Sequence, residues 1–182
     1  MNSTGWYLLL IAAVACERLV ELVVSKRHID WAREHGATER GFGHYPFMVS
    51  LHVGLLVGCA AEVWFLQPPF YPWLGWPMLG LVLLAQALRW WCIRTLGPHW
   101  NTRVVVVPGT TLVDRGPYRW MSHPNYVAVV IEGIALPLVH TAWITAVIFT
   151  FANALLLRVR IVTENEALRE LTTPNHKDAV SP

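Results

Sequence analysis

Charged residues are scarce in this chain, and their scarcity excludes an ordinary soluble domain. Only 14% of the 182 residues are Asp, Glu, Lys or Arg, whereas soluble domains average about 25%. Hydrophobic residues make up 54% of the chain, which is typical of an integral membrane protein. The formal net charge is only +2 and the basic residues form no long patch, so we expect no nucleic-acid partner.

Cysteine is also rare, and each of the three cysteines falls in an apolar run: Cys16, Cys59 and Cys92. Their odd number argues against a disulfide framework and favours small packed side chains. No His or Cys pair has the spacing of a zinc site, so we expect no metal. The N-terminus also lacks the basic region and cleavage site of a removable signal peptide, and its first apolar run is expected to stay as an anchor.

Long apolar runs predict about five transmembrane helices. Residues 6–24, 46–66 and 73–93 each approach the roughly 20 residues needed to cross a bilayer. Residues 126–139 and 142–159 form two more, although the first is short and contains Pro137, which we expect to kink or end the helix. The expected fold is an all-α integral membrane protein, one domain over 1–182, with a short soluble tail from about Leu171.

The basic residues predict the orientation of these spans. Lys and Arg follow the first, third and last spans, with Arg89 and Arg94 at the end of the third, whereas the loops at 67–72 and 140–141 contain neither. The positive-inside rule therefore places the N-terminus outside and the C-terminus in the cytoplasm. The polar loop at 97–126, between helices 3 and 4, then faces the cytoplasm.

Several ionisable residues lie inside the predicted spans. Glu17 and Glu21 share one helix face, with Arg18 three residues before Glu21. His52 and Glu62 fall in the second span and Glu132 in the fourth. An ionisable group in a span is costly and indicates a functional site by default. The alternative is an internal salt bridge that locks the packing of helices, and the sequence leaves both interpretations open.

The polar, turn-rich segment at 115–126 lies at a membrane edge, where such backbone is tolerated only if it lines a cavity or contacts a ligand. A short extended run at 104–107 precedes it. A helix is predicted to start at Asn125 and Tyr126, and its free N–H groups suit an acceptor group of a cofactor. Arg160 and Glu164 lie one turn apart on the last helix, either as an ordinary ion pair or as part of the same site.

Three motifs occur in order in the second half of the chain: residues 110–118, the His-Pro-Asn-Tyr turn at 123–126, and Arg160 followed four residues later by Glu164. Together they resemble the isoprenylcysteine carboxyl methyltransferase family of membrane methyltransferases. The resemblance implies a binding site for S-adenosyl-L-methionine, without a Rossmann domain, over about 97–171. It implies that Arg160 positions the acceptor. The implied cofactor contacts are Arg103, Thr110, Thr111, Leu112, Val113, Tyr118, His123, Pro124, Asn125, Tyr126 and Glu164.

The sequence departs from the family pattern at two positions in these motifs. Ser122 stands where the family usually has Arg before His-Pro, and Asn165 stands where a second Glu usually follows Glu164. The chain also ends soon after Leu171, without the tail common in the eukaryotic enzymes. These departures bear on prenylcysteine as the acceptor more than on methyl transfer.

The first half resembles a narrower, small bacterial branch of the family, through segments such as 17–21, 44–46 and 100–103. Members of that branch methylate alkylresorcinols or alkylpyrones. The resemblance therefore implies an O-methyltransferase in a bacterial cell membrane, acting on the hydroxyl of a long-chain polyketide. A phenol, with a pKa near 10, needs a base or a nearby cation, and His52, Glu21 and Glu17 are the candidate bases.

Three alternatives stay open at this point. One is carboxyl methylation of a prenylcysteine-like substrate, and another is N-methylation of a phospholipid amine, against which the cation of Arg160 argues. The third is a non-catalytic membrane scaffold or lipid-binding protein. The expected partners are a lipophilic small molecule and membrane lipid, and the oligomeric state is open.

Overall fold

Five α-helices make up most of residues 3–40, 45–107 and 113–172, which the computed structural model describes. They are α1 (Ser3–Glu34), α2 (Tyr45–Leu66), α3 (Pro72–Leu96), α4 (Pro124–Leu138) and α5 (Trp143–Thr172). Two short 3₁₀ helices, Gly97–His99 and Gly116–Arg119, lie between α3 and α4. The prediction of a helical protein is confirmed.

A small antiparallel ribbon adds to the helices. Strand β1 (Thr38–Arg40) pairs with strand β2 (Val104–Val106), with Thr38 opposite Val106. The second strand confirms the extended run predicted at 104–107. The ribbon joins the segment after α1 to the loop after α3, and the all-α prediction did not include it. Consecutive valines favour this extended backbone because β-branched side chains suit a strand.

Within the described ranges, three helices are long and apolar enough to cross a membrane: Tyr45–Leu66, Pro72–His99 and Trp143–Glu166. They match the second, third and fifth predicted spans. Helix α4 is apolar but has 15 residues, about 22 Å of helix against roughly 30 Å of bilayer hydrocarbon. Crossing of the membrane by α1 and α4 stays a prediction.

Two prolines and one glutamate define where the helices begin and end at one end of the bundle. Helix α3 begins at Pro72, a position where the missing N–H costs nothing, and α4 ends one residue after Pro137, as predicted. The carboxylate of Glu62 accepts hydrogen bonds from the backbone N–H groups of Ile144 (3.0 Å) and Thr145 (2.8 Å). Glu62 therefore caps α5, and its charge is stabilised by the N-terminus of that helix.

A cluster of buried side chains lies at this same end of the bundle. Tyr7 and Leu136 are fully buried, and the Tyr7 hydroxyl donates a hydrogen bond of 2.9 Å to the Leu136 carbonyl. Apolar side chains from α2 and α3 complete the cluster, including Cys59, Val63 and Val82. Because this core occupies the end away from the 97–126 loop, the other end of the bundle is left for polar groups and a cavity.

Helix α1 continues ten residues beyond residue 24, where the predicted first span ended, and reaches Glu34. The extra turns hold the loop after α3. The Ser25 hydroxyl lies 2.9 Å from the Thr102 hydroxyl, and the His28 Nδ1–H donates to the Trp100 carbonyl at 2.7 Å. These contacts explain why the helix continues beyond its apolar stretch.

Most of the charges inside the spans form one buried network. Arg18 contacts Glu21 at 2.5 Å and Glu132 at 3.0 Å, while Arg89 contacts Glu132 at 2.5 Å and Glu21 at 3.4 Å. Of the two interpretations that the sequence left open, the structure shows the internal salt bridge between Arg18 and Glu21. A further acidic member, Glu17, accepts hydrogen bonds from Gln86 and from Trp90 of α3.

Arg89 was predicted to lie at the end of the third span, and in the structure it is also a buried member of this network. Its residue surface is only 4% exposed, and α3 continues for almost two more turns to Leu96. Two carboxylates, Glu21 and Glu132, hold the guanidinium inside the bundle. A buried guanidinium is tolerated only when carboxylates surround it in this way.

Candidate functional site

The Tyr126 hydroxyl links α4 to α5 through two hydrogen bonds. Arg160 Nε donates a hydrogen bond of 2.8 Å to the Tyr126 oxygen, and the same hydroxyl donates to a carboxylate oxygen of Glu164. Both α5 residues face α4 because four residues make about one helical turn. The structure therefore brings together three of the residues that the sequence motifs marked, and joins Arg160 and Glu164 through Tyr126.

His123 completes this group at the start of α4. Its ring stacks on that of Tyr126, with centroids 5.2 Å apart, and its Nε2 lies 3.2 Å from Asn165 Oδ1. Its Nδ1 lies 3.7 Å from a Glu164 oxygen. The nearby Glu164 carboxylate raises the pKa of His123 above its ordinary value, against the opposing effect of burial.

The link between His123 and Glu164 predicts a pH-dependent stability. The pairing of protonated His123 with Glu164 stabilises the folded state, because the folded-state pKa of His123 is raised. This contribution to the free energy of unfolding is complete below the unfolded-state pKa of about 6.5. It is lost as pH rises through the folded-state pKa. The melting temperature of the wild type should therefore exceed that of His123→Gln most at about pH 6, and the difference should shrink by about pH 9. We expect less than about 1 kcal/mol, because the pair is partly exposed.

A second comparison tests the assignment of this effect to the pair. In a Glu164→Gln background the same His123→Gln substitution should give a difference that no longer depends on pH, since the partner is gone. A difference that grows with rising pH would contradict the pairing.

Arg160 connects this group to α2. Its residue surface is 6% exposed, its guanidinium carbon lies 5.4 Å from the centre of the Tyr126 ring, and its Nη1 contacts the Met48 sulfur. Only Arg has a planar guanidinium that can contact an aromatic face, a hydroxyl and a third group together. Met48 carried no signal in the sequence, because a methionine in an apolar span looks like packing.

The other residues predicted to contact the cofactor lie in several separate segments. Tyr118 lies in the 3₁₀ turn before α4, where burial and the neighbouring Cys92 thiol raise the pKa of its hydroxyl. Pro124 is buried as the first residue of α4, and Val113 is half-buried in the loop. The Arg103 guanidinium carbon lies 4.7 Å from the centre of the Tyr45 ring. Thr110, Thr111 and Leu112 lie outside the described residues.

A cavity of about 420 Å³ lies beside Tyr126 and Arg160. That volume falls in the range of ligand pockets, roughly 300–1,000 Å³. Its walls come from α1, α2, α4 and α5 and are mostly apolar, and its apolar lining includes Leu19, Leu22, Val49, Val53, Leu56, Val57, Leu156 and Leu157. Several of these, such as Leu19 of α1 and Val57 of α2, are also exposed. Exposed apolar side chains of both helices therefore form part of the cavity wall.

Polar groups line the remaining wall of the cavity. Arg18, Glu21 and Arg89 reach it from the buried network, and His52, Thr102 and Asn153 reach it from three other segments. Trp100 Nε1 and Asn125 Oδ1 are buried without a hydrogen-bond partner in the described part of the chain. A buried donor or acceptor left unpaired is costly, so these two atoms mark where a ligand would form hydrogen bonds.

Two comparisons with known proteins bear on this arrangement. The sequence model of the isoprenylcysteine carboxyl methyltransferase (ICMT) family matches residues 78–170, which include α4 and the Tyr126, Arg160 and Glu164 group. The chain is also 39% identical over 163 residues to the uncharacterised protein YpbQ of Bacillus subtilis (strain 168), covering 89% of this chain and 96% of that protein.

The chain belongs to the isoprenylcysteine carboxyl methyltransferase family. It is therefore a membrane methyltransferase, because the ICMT family consists of methyltransferases that use S-adenosyl-L-methionine as methyl donor. The matched range holds the polar centre, whereas α1 and α2, which form one side of the cavity, lie before it. The similarity to YpbQ shows that this first half is shared with a relative of almost the same length.

Proposed function

We propose that this ICMT-family protein is an O-methyltransferase that acts on the hydroxyl of a long-chain alkylresorcinol or alkylpyrone. The observation that carries the proposal is the cavity, which is apolar along α1, α2 and α5 and polar where it meets Arg160, Tyr126 and Asn125. A single alkyl chain fits the apolar part, and an oxygen-bearing ring fits the polar end. The exposed apolar side chains of α1 and α2 in its wall suit an acceptor that arrives from the membrane.

The residues at the polar end suit S-adenosyl-L-methionine. The carboxylate of Glu164 can pair with the positive charge of the cofactor. Asn125 Oδ1 is a buried acceptor without a hydrogen-bond partner in the described residues, and it can accept a hydrogen bond from the cofactor. We propose that these two, together with His123, Tyr118 and Tyr126, hold the cofactor. When bound, it supplies a methyl group on a positively charged sulfur, ready for displacement. Arg103, Val113 and Pro124, with Thr110, Thr111 and Leu112 of the loop, remain proposed contacts.

The protein contributes alignment and charge rather than covalent chemistry. Arg160 is held by Tyr126 and Met48 at the boundary between the cofactor residues and the cavity. In that place it positions the acceptor oxygen and, as a cation, stabilises that oxygen in its anionic form. Holding two reactants in line removes several kcal/mol of barrier, and the apolar walls exclude water from the acceptor.

Carboxyl methylation of a prenylcysteine-like lipid is a second candidate, and Arg160 favours it. A carboxylate is already a nucleophile at neutral pH, so a cation that only positions it would suffice. The same cation in the cavity wall argues against an amine acceptor, because a cation is repelled by an ammonium. Membership of a methyltransferase family argues against a non-catalytic scaffold.

We further propose that the whole chain, 1–182, acts as one domain in a bacterial cell membrane with five spans, an outside N-terminus and a cytoplasmic site. The supporting observation is that the polar centre lies where α5 passes beyond its apolar stretch, close to the basic loop after α3. Cofactor made in the cytoplasm would then reach the site directly. No metal or nucleic acid has a place in this proposal.

Transfer of labelled methyl groups tests the proposed acceptor. Detergent-purified protein is incubated with methyl-labelled S-adenosyl-L-methionine and, separately, an alkylresorcinol, an alkylpyrone or a prenylcysteine, and the products are analysed by mass spectrometry. We expect a methyl ether on the resorcinol or pyrone. Arg160→Met should lower the rate strongly, whereas Arg158→Met, exposed on the same helix, should not. Methyl ester on the prenylcysteine alone would replace our proposal with the second candidate.

A further inference from the structure

We propose that His52 is the general base that removes the proton from the acceptor's phenolic hydroxyl. The inference rests on the proposed function, since a carboxylate acceptor carries no proton at neutral pH. It starts from one juxtaposition: His52 lines the same cavity as Arg160, and Met48 contacts both residues. A base and a cation therefore lie on the wall of one lipid-sized cavity.

The hydrogen bonding of His52 defines which nitrogen can act as the base. His52 Nδ1 lies 2.8 Å from the carbonyl oxygen of Met48, four residues earlier on α2. A carbonyl oxygen only accepts, so Nδ1 carries the hydrogen, and in the neutral ring Nε2 keeps its lone pair. The ring also packs edge-on against Phe149, with centroids 5.6 Å apart. Backbone and aromatic contacts thus hold the imidazole in a tautomer that can accept a proton at Nε2.

Met48 places this imidazole near the polar centre. Its carbonyl accepts from His52, while its sulfur contacts Arg160 Nη1. Arg160 in turn donates to Tyr126, which bonds Glu164. The acceptor oxygen must lie near Arg160 to meet the cofactor held at Glu164, and Met48 links that position to His52.

The other two candidate bases are engaged elsewhere. Glu17 accepts hydrogen bonds from Gln86 and Trp90, and the described cavity wall does not include it. Glu21 reaches the wall, but it forms ion pairs with Arg18 at 2.5 Å and with Arg89 at 3.4 Å. Taking up a proton at this carboxylate would break both ion pairs inside the bundle. His52 is the candidate whose basic atom carries no ion pair to break.

The proposed step balances in atoms and charge. His52 Nε2 takes the hydroxyl proton as the acceptor oxygen attacks the methyl carbon. One oxygen–carbon bond forms and one sulfur–carbon bond breaks, leaving the aryl methyl ether, S-adenosylhomocysteine and a protonated imidazole. That proton passes to water after the products leave. Arg160 assists because a nearby cation lowers the pKa of the phenol toward that of histidine.

The variant His52→Asn tests the step, since Asn retains a donor for the Met48 carbonyl and lacks Nε2. Its matched control is His35→Asn, because His35 Nδ1 makes the same contact of 2.8 Å with the carbonyl four residues earlier, at an exposed position. On an alkylresorcinol we expect kcat to fall about 10²- to 10⁴-fold in His52→Asn. We expect no change in His35→Asn, and no change in the affinity of either variant for S-adenosylhomocysteine.

A series of acceptors separates a base from a merely structural residue. Long-chain phenols made progressively more acidic with halogen or nitro groups are compared at one pH. The deficit of His52→Asn should shrink as the phenol becomes more acidic, and should vanish for a phenol already ionised in solution. With bound S-adenosylhomocysteine and no turnover, a nitrophenol lipid should show more phenolate absorbance with the wild type than with His52→Asn.

The outcomes distinguish the two proposals. If the wild type methylates phenols and His52→Asn does so equally fast, or loses the same factor for every phenol, His52 is not the base and the proposed function stands. If the wild type methylates only carboxylates, the proposed acceptor is wrong, and the role of His52 is overturned with it.

Discussion

Replacing Arg89 by methionine should lower the free energy of unfolding by about 3–5 kcal/mol. Methionine fills much of the same volume, so the loss comes from charge rather than from a cavity. Arg89 Nη2 lies 2.5 Å from Glu132 Oε2, and Arg89 Nε lies 3.4 Å from Glu21. Without Arg89 these carboxylates and Glu17 face Arg18 alone inside an apolar bundle. Unfolding in mixed micelles, titrated with a denaturing detergent, measures the effect.

The matched control for this prediction lies further along the same helix. Arg94 is exposed near the end of α3, so Arg94→Met should change stability by less than about 0.5 kcal/mol. The double variant Arg89→Met, Glu132→Gln should lose less than the sum of the two single losses, because it removes the stranded charge together with its partner. An Arg89→Met protein as stable as the wild type would show that the network does not hold the helices together.

Replacing Glu164 by glutamine should weaken binding of S-adenosylhomocysteine about 10- to 100-fold, the size of one hydrogen bond to a charged group. Glutamine keeps the shape of the side chain and an acceptor for the Tyr126 hydroxyl, so the local fold should survive. What it loses is the negative charge proposed to meet the cationic part of the cofactor. Calorimetry on detergent-purified protein measures the affinity without any acceptor present.

Glu166→Gln is the control for the cofactor site. Glu166 is exposed on α5 two residues beyond Glu164, on a different face of the helix, and its loss should leave the affinity unchanged. If Glu164→Gln binds as tightly as the wild type, the proposed role of Glu164 is wrong. If both variants lose affinity equally, the effect is a general change in charge rather than a contact.

Much of the helical layout was predictable because membrane spans are long and locally encoded. The ends of α2 and α3 lie within a few residues of the predicted runs, since apolar length and proline at the boundary act without help from the rest of the chain. The convergence of Tyr126, Arg160 and Glu164 was also anticipated, from motif order and helical spacing. These features depend on residues close together in sequence or on a shared family pattern.

Other features depended on packing between distant segments. Arg89 was counted with the basic residues at the end of the third span, and only the structure shows that it pairs with Glu132, 43 positions away. The extension of α1 to Glu34 depends on Ser25 and His28 meeting the loop at residues 100–102. No local pattern predicts either pairing, because the partners are brought together only by the arrangement of the helices.

The candidate site combines features that the local sequence predicts with features that only the tertiary structure determines. The motifs in the second half of the chain, through their resemblance to a known family, were enough to indicate a membrane methyltransferase, and the proposed cofactor residues follow from the same resemblance. The volume of the cavity beside Arg160 came from helices and a loop segment that are far apart in the sequence and meet only in the folded structure. The same packing singled out His52 among three candidate bases, by pairing Glu21 with two guanidiniums and leaving Nε2 of the imidazole without an ion pair. The reactive groups are given by the local sequence. Which of them line the cavity and which form ion pairs depends on the packing of segments that are distant in the sequence.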